Sequence, residues 1–324
     1  MIWLEFLACS SLMIFFAYNL CKEGMILSQK THLDEGLIGM FFLAIATSFP
    51  EIATGFSAVL FLDKIGLGYG DIIGSIIVNL MILLWLDYYQ GRGRILLMAS
   101  RMNRLTGLFA FLLLSVVLAF AILRYMGISV PLFKGVGLES ILITCMYIGC
   151  LQAIRRINAR KPIEVYRANE SFLKIWIKFI VLLGIVILLG MWLARTGEKI
   201  ANATDLSQTF IGTLFLGLST SLPEMIVSIA ALRAGSVNMA VGNILGSNLF
   251  DVVVVPFLDG VSRGPILGML TPGQMIATGI AVLVSFVAVL GLFIKRDTQR
   301  KISWDTGLIF AVGLAGFVLL YYIK

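Results

Sequence analysis

The chain has 324 residues, of which 59% are hydrophobic and 13% charged, with a net charge of +7. Soluble domains average about 45–50% apolar and about 25% charged residues, so a soluble globular protein is excluded and the bilayer must act as the solvent. The positive balance does not call for nucleic acid, because Lys and Arg gather between the apolar runs, where they orient a membrane protein.

Ten apolar stretches follow one another along the chain, at about 2–20, 33–62, 69–89, 105–125, 136–153, 172–194, 206–232, 237–258, 274–294 and 304–323. Each approaches the roughly 20 residues that a spanning helix needs. Helices are expected because each satisfies its own backbone polar groups inside lipid. The runs lack the apolar–polar alternation of barrel strands. The first run has no basic segment before it and is kept as a spanning helix rather than a leader.

Seventeen of the 25 Lys and Arg fall after the odd-numbered helices and seven after the even-numbered helices or at the tails, with Lys178 inside the sixth stretch. The positive-inside rule then places the odd-numbered loops in the cytoplasm and both termini outside. The markers are Arg92, Arg94, Arg101 and Arg104, then Arg155, Arg156, Arg160, Lys161 and Arg167. The second cluster is the longest charged linker. It divides the chain into a first five-helix unit (1–154), a cytoplasmic linker (155–171) and a second five-helix unit (172–324). Cys9, Cys21, Cys145 and Cys150 show no metal-ligand spacing and read as packing residues. His32, the one histidine, reads as a solvated loop residue.

The two units repeat each other. Residues 43–51 read L-A-I-A-T-S-F-P-E and residues 216–224 read L-G-L-S-T-S-L-P-E, an offset of 173 at which Gly39 and Phe42 also match Gly212 and Phe215. Gly70-Asp71-Ile72-Ile73-Gly74-Ser75 matches Gly242-Asn243-Ile244-Leu245-Gly246-Ser247 at an offset of 172. Five spans is an odd number, so the second unit is expected to sit inverted, and the fold class is an all-α membrane protein of two inverted five-helix repeats. Interrupted helices at matching places in inverted repeats point to a transport site near mid-membrane.

Glu51 and Glu224 lie deep in apolar runs, where a carboxylate costs a few kcal/mol and is a functional residue by default. The alternative is a structural ion pair, for which only Lys178 has comparable depth. Pro50 and Pro223 precede the acids. A proline inside a helix removes an N–H and displaces the carbonyl four residues back, which frees oxygens near Ala46–Thr47 and Ser219–Thr220. Thr47, Ser48, Thr220 and Ser221 add hydroxyls in the same turn. Asp71, Ser75 and Asn79 recur every fourth residue, as do Asn243, Ser247 and Asp251, so each set lines one helix face. Gly70, Gly74, Gly242 and Gly246 allow close helix approach. Carboxylates, hydroxyls, amides and free carbonyls without thiolate or imidazole suit a hard cation such as Ca²⁺. Several acids that repel one another when empty would bind either one divalent or several monovalent ions.

These motifs resemble the sodium/calcium exchanger branch of the calcium/cation antiporter family, prokaryotic type, whose halves each carry T-S-x-P-E and G-N-x-x-G-S-N-x-F-[N/D]. The second half matches both, as Thr220 to Glu224 and Gly242 to Asp251; the first matches fully only from Thr47 to Glu51, with Asp71, Ile76 and Val78 departing from the pattern. The resemblance implies Ca²⁺/Na⁺ antiport by alternating access. Glu51 and Glu224 would be the main Ca²⁺ ligands, and Thr47 and Thr220 would give backbone carbonyls. Ser48, Ser75, Ser221 and Ser247 would help hold Na⁺, and Asn79 and Asp251 would face each other at the centre. It also implies a bundle of helices 2, 3, 7 and 8 with helices 1 and 6 as a sliding gate. Asp71 would add charge to the pathway or hydrogen-bond within the bundle. The expected partners are these ions and the lipid of a prokaryotic inner membrane. The chain is expected to work as a monomer, with no cofactor beyond its cargo. Three rivals remain: a proton-coupled Ca²⁺ exchanger; an intramembrane aspartyl protease suggested by Gly68-Tyr69-Gly70-Asp71, with Asp251 or Asp87 as the second acid; and a passive cation channel, against which binding strong enough to need two Glu and the hinge-like prolines argue.

Overall fold

The computed structural model describes residues 2–30, 44–91, 94–133, 136–158, 171–262, 264–294 and 301–323. His32, the start of the second stretch with Gly39 and Phe42, Arg92, and Arg160, Lys161 and Arg167 lie outside them. The described residues form α1 (Ile2–Lys30), α2 (Phe49–Phe61), α3 (Ile65–Gln90), α4 (Arg101–Tyr125), α5 (Leu138–Asn158), α6 (Phe172–Ala203), α7 (Gln208–Arg233), α8 (Val237–Val261), α9 (Pro272–Phe293) and α10 (Trp304–Tyr322). Eight are long and apolar enough to cross a membrane, and α2 and the apolar part of α5 are shorter. The chain is an all-α integral membrane protein. One detail differs from expectation. Val136–Gly137, placed by hydropathy in the fifth stretch, instead pairs with Leu132–Phe133 as a small antiparallel hairpin ahead of α5. Leu132 and Phe133 are exposed, so an apolar run was mistaken here for the start of a helix.

The most apolar windows of α3 and α8 are 89% buried, whereas that of α6 is 22% buried. A helix apolar on every side belongs at the centre of a bundle, and α3 and α8 take that place. α4, α5, α9 and α10 surround them, and residues from all six helices share one large apolar core. A second core is built by α1 and α6, joined by Ala58 of α2, Leu67 of α3 and Ile211 and Leu216 of α7. The helix contacts are reciprocal. α4 packs on α8 as α9 packs on α3, α5 on α8 as α10 on α3, and α6 on α2 as α1 on α7.

Gly70, Gly74 and Gly217 set the distance between α3 and α7. A β-carbon on Gly70 would stand 3.2 Å from Gly212 Cα, one on Gly217 would stand 2.8 Å from the Gly74 carbonyl carbon, and one on Gly74 would overlap the Thr213 carbonyl.

Two polar clamps fasten the ends of the central helices. Asp87, near the end of α3, accepts from Ile95 N (3.0 Å), Ser303 N (2.6 Å), Ser303 Oγ (2.7 Å) and Thr306 Oγ1 (2.8 Å). Asp259, 172 residues later near the end of α8, accepts from Ile266 N (2.6 Å), Gly137 N (2.9 Å) and Ser140 Oγ (2.8 Å). Beside each lies an ion pair, Arg94 with Asp305 and Arg124 with Glu139, each at 2.5 Å. Arg94 also donates to Ile294 O and Gly291 O and sits over the Trp304 ring. Arg94 was counted among the loop charges that orient the chain, yet it is buried: hydrogen bonds to Asp305 Oδ2 on α10 and to the carbonyls of Gly291 and Ile294 at the end of α9 hold it inside the protein. Of the cysteines, Cys9, Cys21 and Cys150 are buried. Cys145 is exposed, because it faces outward on α5.

Candidate ion-binding site

The T-S-x-P-E segments shape α2 and α7 differently. In the first, Ala44–Thr47 is helical, Ser48 turns (φ −84°, ψ 6°) and α2 begins at Phe49 with Pro50 in its first turn. In the second, Pro223 lies within a continuous helix that follows a π-helical stretch, Ile211–Leu216. In both, proline has no N–H for the carbonyl four residues back, at Ala46 and Ser219.

Every candidate residue is buried: Thr47, Ser48, Glu51, Asp71, Ser75, Asn79, Thr220, Ser221, Glu224, Ser247 and Asp251. Contacts cross between the halves in matching pairs. Thr220 Oγ1 donates to Asp71 Oδ1 at 3.0 Å and lies 3.1 Å from Ser75 Oγ. Thr47 Oγ1 lies 3.4 Å from Asn243 Oδ1 and 3.0 Å from Ser247 Oγ. Asp71 and Asn243 are 172 residues apart, and so are Ser75 and Ser247. The threonine of each half therefore bonds the same two positions of the other. Asn243 Nδ2 also donates to Ser228 Oγ (3.0 Å) and Glu224 O (3.4 Å). Where α3 and α8 meet, Asn248 Nδ2 donates to the Ile76 carbonyl at 3.2 Å, from one repeat position to its counterpart. Ile76, where the motif has Asn, cannot reciprocate. Asn243, Asn248 and Ser228 thus join the residues singled out from sequence. Asn243 was visible there as a stripe position and Asn248 as a position of the second motif, whereas Ser228 carries no signal apart from the fold.

Glu51, Glu224, Asp71 and Asp251 are all fully buried. Among the described residues, both carboxylate oxygens of Glu51, Glu224 and Asp251, Asp71 Oδ2, both amide atoms of Asn79 and the hydroxyls of Ser48 and Ser221 have no hydrogen-bond partner. Buried polar groups are almost always paired, and an unpaired buried charge is far more costly than an unpaired amide. A cation bound here would supply the missing partner. Lys178 does not, since it reaches Glu23 on α1 at 3.7 Å. Among the described residues no three Asp, Glu, His or Cys converge as a ready-made metal cage. A cation here would take only one or two carboxylates together, with hydroxyls and carbonyls completing its shell. Such mixed oxygen shells suit Ca²⁺.

The sequence matches the family described as sodium/calcium exchanger protein over residues 1–151 and 174–323. The chain belongs to this family. It is a transporter and not an enzyme. An uncharacterized membrane protein of Methanocaldococcus jannaschii is 28% identical over 286 residues, covering 88% of this chain and 86% of that one. The sodium-calcium exchanger NCX_Mj shares the fold with a TM-score of 0.63 at 22% identity, covering 98% of this chain and 99% of that one. An H⁺/Ca²⁺ exchanger, CAX, has a TM-score of 0.70 at 13% identity, with 98% and 85% covered. The protease reading falls with the family. Asp87, one of its possible second acids, is also consumed as a structural clamp.

Proposed function

We propose that this family member exchanges Ca²⁺ for Na⁺ across a prokaryotic inner membrane by alternating access, as a monomer with both termini outside. The observation that carries the reading is the set of buried carboxylates without partners, framed by hydroxyls from both halves. Glu51 and Glu224 hold Ca²⁺, helped by the carbonyls of the two T-S-x-P-E turns. Ser48, Ser75, Ser221 and Ser247, with Thr47, Thr220, Asn79 and Asp251, provide the smaller oxygen sites that Na⁺ occupies. Mutual repulsion keeps the empty site unstable, so it changes sides loaded with either ion.

Two inverted five-helix repeats, 1–154 and 172–324, explain the reciprocal packing and the exchanged threonine contacts. Because the site is built from both halves of one chain, one copy suffices. Asp71 contributes a further negative charge beside Thr220.

Proton coupling is the second reading, favoured by the likeness to CAX. Abundant hydroxyls favour Na⁺, because a protonated carboxyl needs none of them. Liposomes loaded with Na⁺ and diluted into Na⁺-free buffer test the point. Uptake of radiolabelled Ca²⁺ that needs the Na⁺ gradient and vanishes in Glu224→Gln supports Na⁺ exchange. Uptake that ignores Na⁺ and follows an imposed pH gradient replaces it with the proton-coupled reading.

A further inference from the structure

The corners where α4 and α9 begin are built differently. α4 follows the cap Ser100, whose hydroxyl accepts from Asn103 N, and α9 follows the cap Thr271, whose hydroxyl accepts from Gln274 N. At the first corner Asn238 of α8 acts as a stitch. Its Oδ1 accepts from Ser100 N at 2.7 Å, and its carbonyl accepts from Asn103 Nδ2 at 2.8 Å. At the 172-residue offset Asn238 corresponds to Gly66 of α3. Gly66 has no side chain with which to repeat the stitch. Gln274 is 1% exposed and its Oε1 accepts from Thr271 N, but among the described residues its Nε2 has no partner. That nitrogen lies 3.5 Å from where a β-carbon on Gly66 would stand.

A cavity of about 340 Å³ occupies this second corner, and Asp63, Gly66, Ser207, Thr209, Thr271 and Gln274 are in its walls. α3, α7 and α9 all begin beside it, so three partial positive helix ends meet there. Thr209 is 8% exposed, and its hydroxyl has no partner among the described residues. Buried donors without acceptors at helix starts suit an anionic oxygen group such as a phosphate. Asp63, exposed in the same wall, favours a positive charge next to that anion.

A second cavity of about 370 Å³ adjoins the first. The two share Asp63, Ile65 and Met269, and the second adds Leu60, Phe61 and Val261. Leu60 and Phe61 are 51% and 60% exposed. The end of α10 supplies Leu320 and Ile323 to the first cavity, and its neighbours Tyr321 and Tyr322 are exposed. Exposed tyrosines at a helix end mark the membrane–water boundary. The double cavity is therefore polar at one end, apolar at the other, and set at headgroup depth.

We infer that it binds one phospholipid whose headgroup carries a primary ammonium. The phosphate sits against Gln274 Nε2, Thr209 and the three helix starts. The ammonium reaches Asp63, and the acyl chains lie along Leu60, Phe61 and Met269. A choline headgroup has no N–H to give Asp63, and a glycerol headgroup has no positive charge. None of these residues belongs to the ion site, so the inference does not depend on which ions are exchanged. The orientation proposed above assigns the lipid to the outer leaflet.

Purified protein in detergent is mixed with phosphatidylethanolamine, phosphatidylglycerol or phosphatidylcholine, and bound lipid is counted by native mass spectrometry. One phosphatidylethanolamine is expected to be held about tenfold more tightly than either of the others. Gln274→Glu keeps the acceptor for Thr271 N but sets a negative charge against the phosphate, and Gly66→Asn brings in the side chain of the stitched corner. Each is expected to weaken that binding about tenfold. Asp63 has a left-handed backbone (φ 55°) that Asn tolerates, and Asp63→Asn is expected to bind lipid without the ethanolamine preference. Free phosphoethanolamine is expected to compete poorly, because it has no acyl chains. Thermal melts establish that each variant is folded. Full binding by folded Gln274→Glu or Gly66→Asn overturns the site. Equal retention of the three lipids by wild type, or an ethanolamine preference that survives Asp63→Asn, overturns the headgroup assignment. Free phosphoethanolamine binding as tightly as the lipid overturns the lipid as the occupant.

Discussion

Thr220 donates a hydrogen bond to Asp71 at 3.0 Å across the two halves, and the equivalent contact, Thr47 to Asn243, spans 3.4 Å. At the second position the amide has a further role: its Nδ2 donates to Ser228 and to the Glu224 carbonyl. The carboxylate at the first position has no hydrogen to give in its ionised form, and Asp71 Oδ2 is unpaired among the described residues. Asp71→Asn would restore the amide and keep the acceptor for Thr220. The variant is expected to fold with equal or higher thermal stability in detergent. It should alter the Na⁺ dependence of Ca²⁺ uptake by removing one charge from the site. Unchanged Na⁺ dependence would show that Asp71 is structural.

Among the described residues the carboxylates of Glu51 and Glu224 have no hydrogen-bond partner to lose, so their amides should cost function rather than fold. Glu51→Gln and Glu224→Gln each remove a charged ligand. A loss of about 3 kcal/mol, or roughly a hundredfold in apparent Ca²⁺ affinity, is expected. Melting temperature in the absence of Ca²⁺ should not fall. Calorimetric titration and thermal unfolding of the same preparations separate the two effects.

The Arg94–Asp305 pair is fully buried at 2.5 Å. Removing one partner of such a pair strands the other charge and costs about 3–5 kcal/mol. Arg94→Ala should lower the melting temperature sharply, whereas ion selectivity in any surviving protein should match wild type. A selectivity change would place Arg94 in the transport pathway instead.

Gly74→Ala tests the α3–α7 contact. The new methyl overlaps the Thr213 carbonyl, so the backbones must separate. Overpacking of this kind costs about 1–3 kcal/mol. Because Ser75 and Thr220 lie beside this contact, transport should fall more than expression does. Parallel flux and fluorescence-detected chromatography measure both.

The membrane class, most helix positions and the burial of the candidate polar residues were legible because each rests on local chemistry. Apolar runs of spanning length have one stable environment, and a repeated T-S-x-P-E leaves two carboxylates where lipid allows none without a purpose. The strand at Val136–Gly137 escaped, because two apolar residues at a helix edge carry no period. The clamps at Asp87 and Asp259 escaped too. Their 172-residue spacing is in the sequence, but the partners at Ser303, Thr306, Gly137 and Ser140 are chosen by folding. The same holds for Arg94, an ordinary loop charge until α9 and α10 close over it. By itself, the sequence determined which residues must leave water and which oxygens cannot be there by chance. The tertiary structure decided which half each oxygen faces, and that Thr220 meets Asp71 rather than its own half's stripe. It also decided that Ala46 and Val227 are buried together with Cys21, because contacts between residues far apart in the chain depend on helix packing and not on any local pattern.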